Sequence, residues 1–181
     1  MRIADPYIEA LTMEASTTKR VLERVPEPHP TWRPHAKSMS LGQLALHVAT
    51  LPGQFTEFVA GDELDFSAAA AGPPTVGSQP ELMEAFTSGI ERARAYLAGL
   101  SDERATATWR LMAGGRQLFA APRAAVLRSF LFDHWYHYRG QLLVYLRLRR
   151  GGAVRVWSRR GRKPVCRGLM QIPHGVRREA C

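Results

Sequence analysis

An all-α fold is what this sequence predicts: a four-helix bundle over residues 1–148, followed by an irregular basic tail over residues 149–181. Three observations predict it. Apolar residues recur at steps of three and four in four separate segments. Residues that start and stop helices stand at the ends of those segments. No stretch alternates apolar and polar residues for long enough to build a sheet.

The first helix carries Ile8, Leu11, Ala15, Thr18, Leu22 and Val25 along one face, and Pro26, Pro28 and Pro30 stop it. In the second, Ser40 followed by Gln43 reads as a capping box. Leu41, Leu44, Val48, Leu51, Phe55 and Phe58 form its stripe, with a kink expected near Pro52. A loop rich in Ala, Gly and Pro runs from about Gly61 to Gln79. Pro80 opens the third helix, whose inner face is Leu82, Phe86, Ile90, Ala93 and Leu97. A short irregular or hairpin-like link follows, with Trp109, Leu111 and Phe119 around Gly114-Gly115. The fourth helix runs from about Pro122 to Leu148. Helices of this number and length imply a bundle with one core.

Charge is divided sharply along the chain. Residues 1–146 carry 14 Lys/Arg and 15 Asp/Glu, whereas residues 147–181 carry 11 Lys/Arg and only Glu179. All the basicity is therefore in the tail. Its aromatic residues are not interleaved with the cations as a base-stacking surface requires, so nucleic acid is not an expected partner. No apolar run is long enough to span a membrane, and the N-terminus lacks the apolar core of a signal peptide. A cytoplasmic location is expected. Cys166 and Cys181 form neither a disulfide framework nor a metal-binding spacing.

Histidines carry the chemistry. An α-helix advances about 100° per residue, so Leu127, Phe130, Tyr138, Gln141, Tyr145 and Leu148 fall within about 40° of His134. That places His134 at the centre of the expected buried stripe, Tyr138 one turn along, and His137 on the flank. His47 lies on the inner flank of the second helix. Helical periodicity thus lets His47 and His134 meet inside the bundle, where neutral imidazoles suit Zn, Ni, Cu or Fe(II). A lone His on an apolar face more often makes a hydrogen bond in the core than it ligates. The pairing of two helices gives the ligand reading its weight.

These residues resemble the DinB/YfiT-like family of metal-dependent bundle proteins. The resemblance rests on Pro34-His35-Ala36-Lys37-Ser38-Met39-Ser40-Leu41-Gly42, on Leu44-Ala45-Leu46-His47-Val48-Ala49 with Pro52-Gly53, and on Asp133-His134-Trp135-Tyr136-His137-Tyr138-Arg139-Gly140-Gln141-Leu142. It covers the chain to about Leu148. It implies a four-helix bundle, often a homodimer, with a divalent metal held by three histidines. One such ligand is on the second helix and two are spaced i,i+4 on the fourth. His47 and His134 match the first two. The third falls on Tyr138, where the family has His; His137 keeps the neighbouring histidine of the family motif. A phenol ionises only near about pH 10 in its ordinary state, so Tyr138 ligates only with help from the metal, and a lost or weakened site is the alternative. Gly140 is expected to permit close helix packing. Gln141, with His137, is expected to support the ligands by hydrogen bonding from behind.

After Leu148 the chain departs from the family's Pro-rich, acidic ending and becomes rich in Arg and Gly. Codons can be chosen for Arg155 to Val165 so that a one-nucleotide shift reads as that ending. The expectation is that residues from about Arg149 on are a disordered tail produced by a shifted frame; resequencing the gene across this point decides it.

Two functions compete. One is a metal-dependent enzyme: the wider superfamily implied by the resemblance includes S-transferases that use low-molecular-weight thiols, and a thiol-dependent isomerase. Hydrolysis by an activated water suits the same ligands. The bundle holds no cysteine, and no Ser-His-Asp or Cys-His nucleophile competes. The other is a non-catalytic bundle with a degenerate metal site, acting as a dimeric binding module. Retention of His47 and His134 favours the first, and Tyr138 favours the second.

Overall fold

The computed structural model describes residues 1–27, 31–68, 74 and 76–150. Its order is α1 (Asp5–Leu22), α2 (Leu41–Phe58), β1 (Glu63–Asp65), α3 (Gln79–Gly99), α4 (Asp102–Thr106), β2 (Thr108–Ala113), β3 (Arg116–Pro122), α5 (Arg123–Val126), a π-helical segment (Leu127–Asp133) and α6 (His134–Arg150). The proposed tail beyond Arg150, with Trp157 and Cys166, lies outside the described residues, as do Pro28 and Pro30. The chain is mostly helical. No helix among the described residues is long and apolar enough to cross a membrane.

The long helices surround one core. α3 packs on α1 and α2, and α6 packs on α2 and α1. All five residues expected on the inner face of α3 are buried: Leu82, Phe86, Ile90, Ala93 and Leu97. The capping box forms as expected. Gln43 N donates to Ser40 Oγ at 3.2 Å, and Ser40 N donates to Gln43 Oε1 at 2.9 Å, which satisfies two amides at the start of the helix. α2 and α3 approach so closely that a Cβ on Gly53 would stand 2.9 Å from Gly89 Cα. Glycine is required there by packing rather than by backbone angle.

The all-α expectation is corrected by a three-stranded sheet in the order β1-β2-β3. β2 and β3 are the hairpin, and Gly114 and Gly115 turn it with φ of 55° and 79°. Two consecutive positive φ values are what a tight hairpin turn of the favoured hand demands. The unexpected partner is β1, which pairs parallel to β2 with Leu64 beside Leu111. Three residues taken from an Ala/Gly/Pro-rich loop carry too little alternation to announce a strand. Their pairing is set from across the fold.

A second correction concerns the last helix. It is one rod from Arg123 to Arg150, but its middle, Leu127–Asp133, is π-helical. The i→i+5 bonding carries an extra residue per turn, so a uniform 100° step misplaces the residues on either side. The buried line of α6 is Trp135, Leu142, Tyr145 and Leu146; His134 is half-buried beside it, and Leu148 is exposed.

Arg123 lies at the joint between hairpin and rod and is fully buried. Its guanidinium donates to the carbonyls of Val59 (2.8 Å), Arg104 (2.6 Å) and Gly61 (2.8 Å), and to Asp62 Oδ1 (2.8 Å). One side chain thereby closes the C-terminal end of α2 and ties it to α4 and the strand that follows. The hydrogen bond from Arg123, with the nearby Arg104 charge, holds the Asp62 carboxyl below its usual range.

Candidate functional site

Two helices bring the site together, and a buried hydrogen bond joins them beside it. Pro52 lies inside α2. Proline has no backbone N–H, so the carbonyl of Val48, four residues earlier, loses its helical donor. Trp135, fully buried on α6, supplies the replacement: its indole Nε1–H donates to Val48 O at 2.9 Å. Val48 follows His47 and Trp135 follows His134, so the two helices are joined one residue from each histidine.

The histidines do meet. The rings of His47 and His134 stand 5.7 Å apart, centroid to centroid, at 80°. Tyr138 closes the triangle, edge-on to His47 at 4.5 Å and to His134 at 4.6 Å. His137 is exposed and does not join them. Its ring touches Tyr138 at 5.2 Å from the outside, and its Nε2 lies 2.7 Å from Gln141 Nε2. His137 and Gln141 therefore bond to each other beside the triangle. Gly140 faces open space, with nothing within 4 Å of a Cβ built there, so it permits no helix contact. Arg139 turns the other way, to Glu14 at 2.6 Å and Thr18 at 3.0 Å.

The triangle forms the floor of a cavity of about 450 Å³. Its walls come from α2 (Leu51, Phe55), the π-helical segment (Phe130) and the sheet (Leu64, Trp109, Leu111). Phe55 and Phe130 stack nearly parallel, 6.0 Å apart at 8°. The sheet's share of this wall is not legible in the sequence, because β1 reaches the cavity only through its parallel pairing; Phe130 lies beside His134 in the lining, the two residues that helical spacing put on one stripe.

Burial sets the charge state of the floor. Desolvation, helped by the neighbouring His134, pushes the His47 pKa down from 6.5 to about 4. Desolvation, then His137, lowers that of His134. Both lone-pair donors are thus present at neutral pH. The unfolded chain takes these protons at about the ordinary value, the native chain only at lower pH. Below 6.5 the unfolded state binds more protons, so stability must fall as pH drops from 6.5 towards about 4 and be unaffected by these groups above that window. Urea midpoints of chelator-treated protein should decline between about pH 7 and about pH 5, and His47→Gln should flatten the decline. A wild-type midpoint that holds steady over this range would rule the shift out.

The family resemblance implies a divalent metal, and the donors fit it in part. Two neutral imidazoles meeting across helices suit such an ion. The third position presents a phenol, and among the described residues no three His, Cys, Asp or Glu side chains are gathered as a metal site. The set fits two imidazoles completed by Tyr138 or water, not three histidines. Among known proteins, the family model described as the DinB superfamily matches residues 10–141. No curated protein matches the chain, and no solved structure does.

Proposed function

The chain belongs to the DinB superfamily, and from that premise we propose that it is a metal-dependent enzyme of that superfamily's four-helix-bundle type, acting on a small molecule by thiol-dependent S-transfer or by hydrolysis. The observation that carries the reading is the convergence of His47 and His134 on the floor of an apolar cavity. These two would hold the metal (Zn, Ni or Fe), with Tyr138 or water in the third place. Such an ion, when bound, supplies Lewis-acid activation of a low-molecular-weight thiol or of water.

The chain's own residues do the rest. His47 and His134 offer unprotonated nitrogens at neutral pH because burial holds them so. Trp135 and Val48 keep the two nitrogens at a fixed separation. The Phe55–Phe130 wall shields the floor from water and seats the substrate against it. His137 and Gln141, bonded to each other, brace Tyr138 from outside.

A second reading is favoured by one observation: Tyr138 packs edge-on against both imidazoles, which suits a metal-free core cluster and a non-catalytic binding module. Metal content of protein purified without chelator separates the two. The expected result is saturable Zn or Ni binding by the unaltered chain, tightened at least about tenfold in Tyr138→His, as a supplied ligand should. Metal in the variant alone supports the second reading, and metal in neither removes the site. A homodimer in cytoplasmic solution belongs to the same proposal. Light scattering on the purified chain checks the dimer.

A further inference from the structure

The geometry points to the occupant of the cavity: an uncharged, largely apolar, flat molecule that places a single polar atom on the floor made by His47, His134 and Tyr138. This rests on reading the cavity as the functional site and adds the class of molecule it takes. Among the described residues that line it, none is Lys, Arg, Asp or Glu. The polar groups are the floor rings, Gln54 and the indole of Trp109. A charged group on the body of a ligand would leave water without a counterion, which is strongly unfavourable in an apolar enclosure.

Flatness follows from the walls. Phe55 and Phe130 lie nearly parallel at 6.0 Å, and Phe119 leans on Phe130 at 5.7 Å. An aromatic face or edge laid against such a wall keeps the ring geometry that aromatic pairs prefer. The mouth is apolar as well: Phe58 and Phe66 line the cavity while remaining exposed to solvent, at 46% and 61%. Large exposed aromatics beside a cavity of this size mark a place where an apolar molecule enters. The volume of about 450 Å³ falls in the range of small-molecule sites.

A matched pair of ligands tests this. The neutral fluorophore N-phenyl-1-naphthylamine is bound to the full chain, as purified and after chelator treatment, and is displaced by methyl 2-naphthoate or by the 2-naphthoate anion. One dye per chain should bind saturably in both preparations, and in the chelator-treated protein the ester should displace it at a concentration at least about tenfold lower than the anion. Phe66→Asp, at an exposed position that leaves the core untouched, should weaken the dye at least about fivefold; Phe130→Ala should do the same from the wall. Equal or better displacement by the anion in the chelator-treated protein overturns the inference, as does non-saturable dye binding or indifference to both substitutions. The chelated arm keeps this result separate from the metal measurement, so either can fail while the other stands.

Discussion

Arg123→Met should destabilise the protein by roughly 3–5 kcal/mol. The guanidinium is wholly buried and is the donor for three backbone carbonyls, those of Val59, Arg104 and Gly61. A methionine of similar length fills much of the volume but donates nothing. Each buried acceptor left without a donor loses about 1–3 kcal/mol, partly recovered where the loop can open to water. Against a total stability of about 5–15 kcal/mol for an ordinary domain, the variant should be marginal or unfolded at ambient temperature. Arg123→Lys should not rescue it, because one ammonium cannot reach acceptors laid out for a planar fork. Urea unfolding of the three proteins is the measurement. A loss below about 1 kcal/mol would mean that water replaces the guanidinium freely.

The second large effect belongs to Trp135 and can be separated from simple loss of bulk. Trp135→Phe removes the indole N–H, leaves Val48 O unpaired in the core and opens a void; the expected loss is roughly 2–4 kcal/mol. Pro52→Ala restores the backbone N–H that Val48 O lacks. In the Pro52→Ala background, Trp135→Phe should therefore be milder by about 1 kcal/mol, a coupling measurable by a double-mutant cycle. The void is the same in both backgrounds, so additivity would mean that the hydrogen bond contributes nothing. Because this bond holds the helices one residue from each histidine, Trp135→Phe should also weaken metal binding at His47 and His134 more than an equally destabilising change far from the site, such as Leu97→Ala on α3.

Much of this could be read from residues alone, and the failures share a cause. The inner face of α3 and the Ser40–Gln43 box are local patterns, set by helical spacing and by side chains three residues apart, and both are found as expected. The hairpin at Gly114-Gly115 is local too. His47, His134 and Tyr138 were each placed on the right face to within one flank. What was not legible was long-range or departed from the regular helical step. β1 exists because β2 is beside it, and nothing in Glu63–Asp65 requires a strand. Arg123 reads in sequence as one more solvated cation, since only the fold brings Val59, Gly61 and Arg104 around it. The π-helical segment puts Leu127 and Phe130 out of phase with α6, where the centre of burial is the line through Trp135 and Leu142 rather than His134, and Leu148 is exposed. Gly140 was expected at a helix contact and stands in the open.

The π-helical stretch between Leu127 and Asp133 makes the site depend on how many residues precede it as well as on which they are. A deletion there would remove the extra residue, and the segment would relax to ordinary α-helix with its two flanks still in phase. Adding a residue would instead turn everything beyond by about 100°, swinging Trp135 off Val48 and His134 off the cavity floor without either having been altered. Single-codon deletions in this stretch should therefore be tolerated far more readily than single-codon insertions.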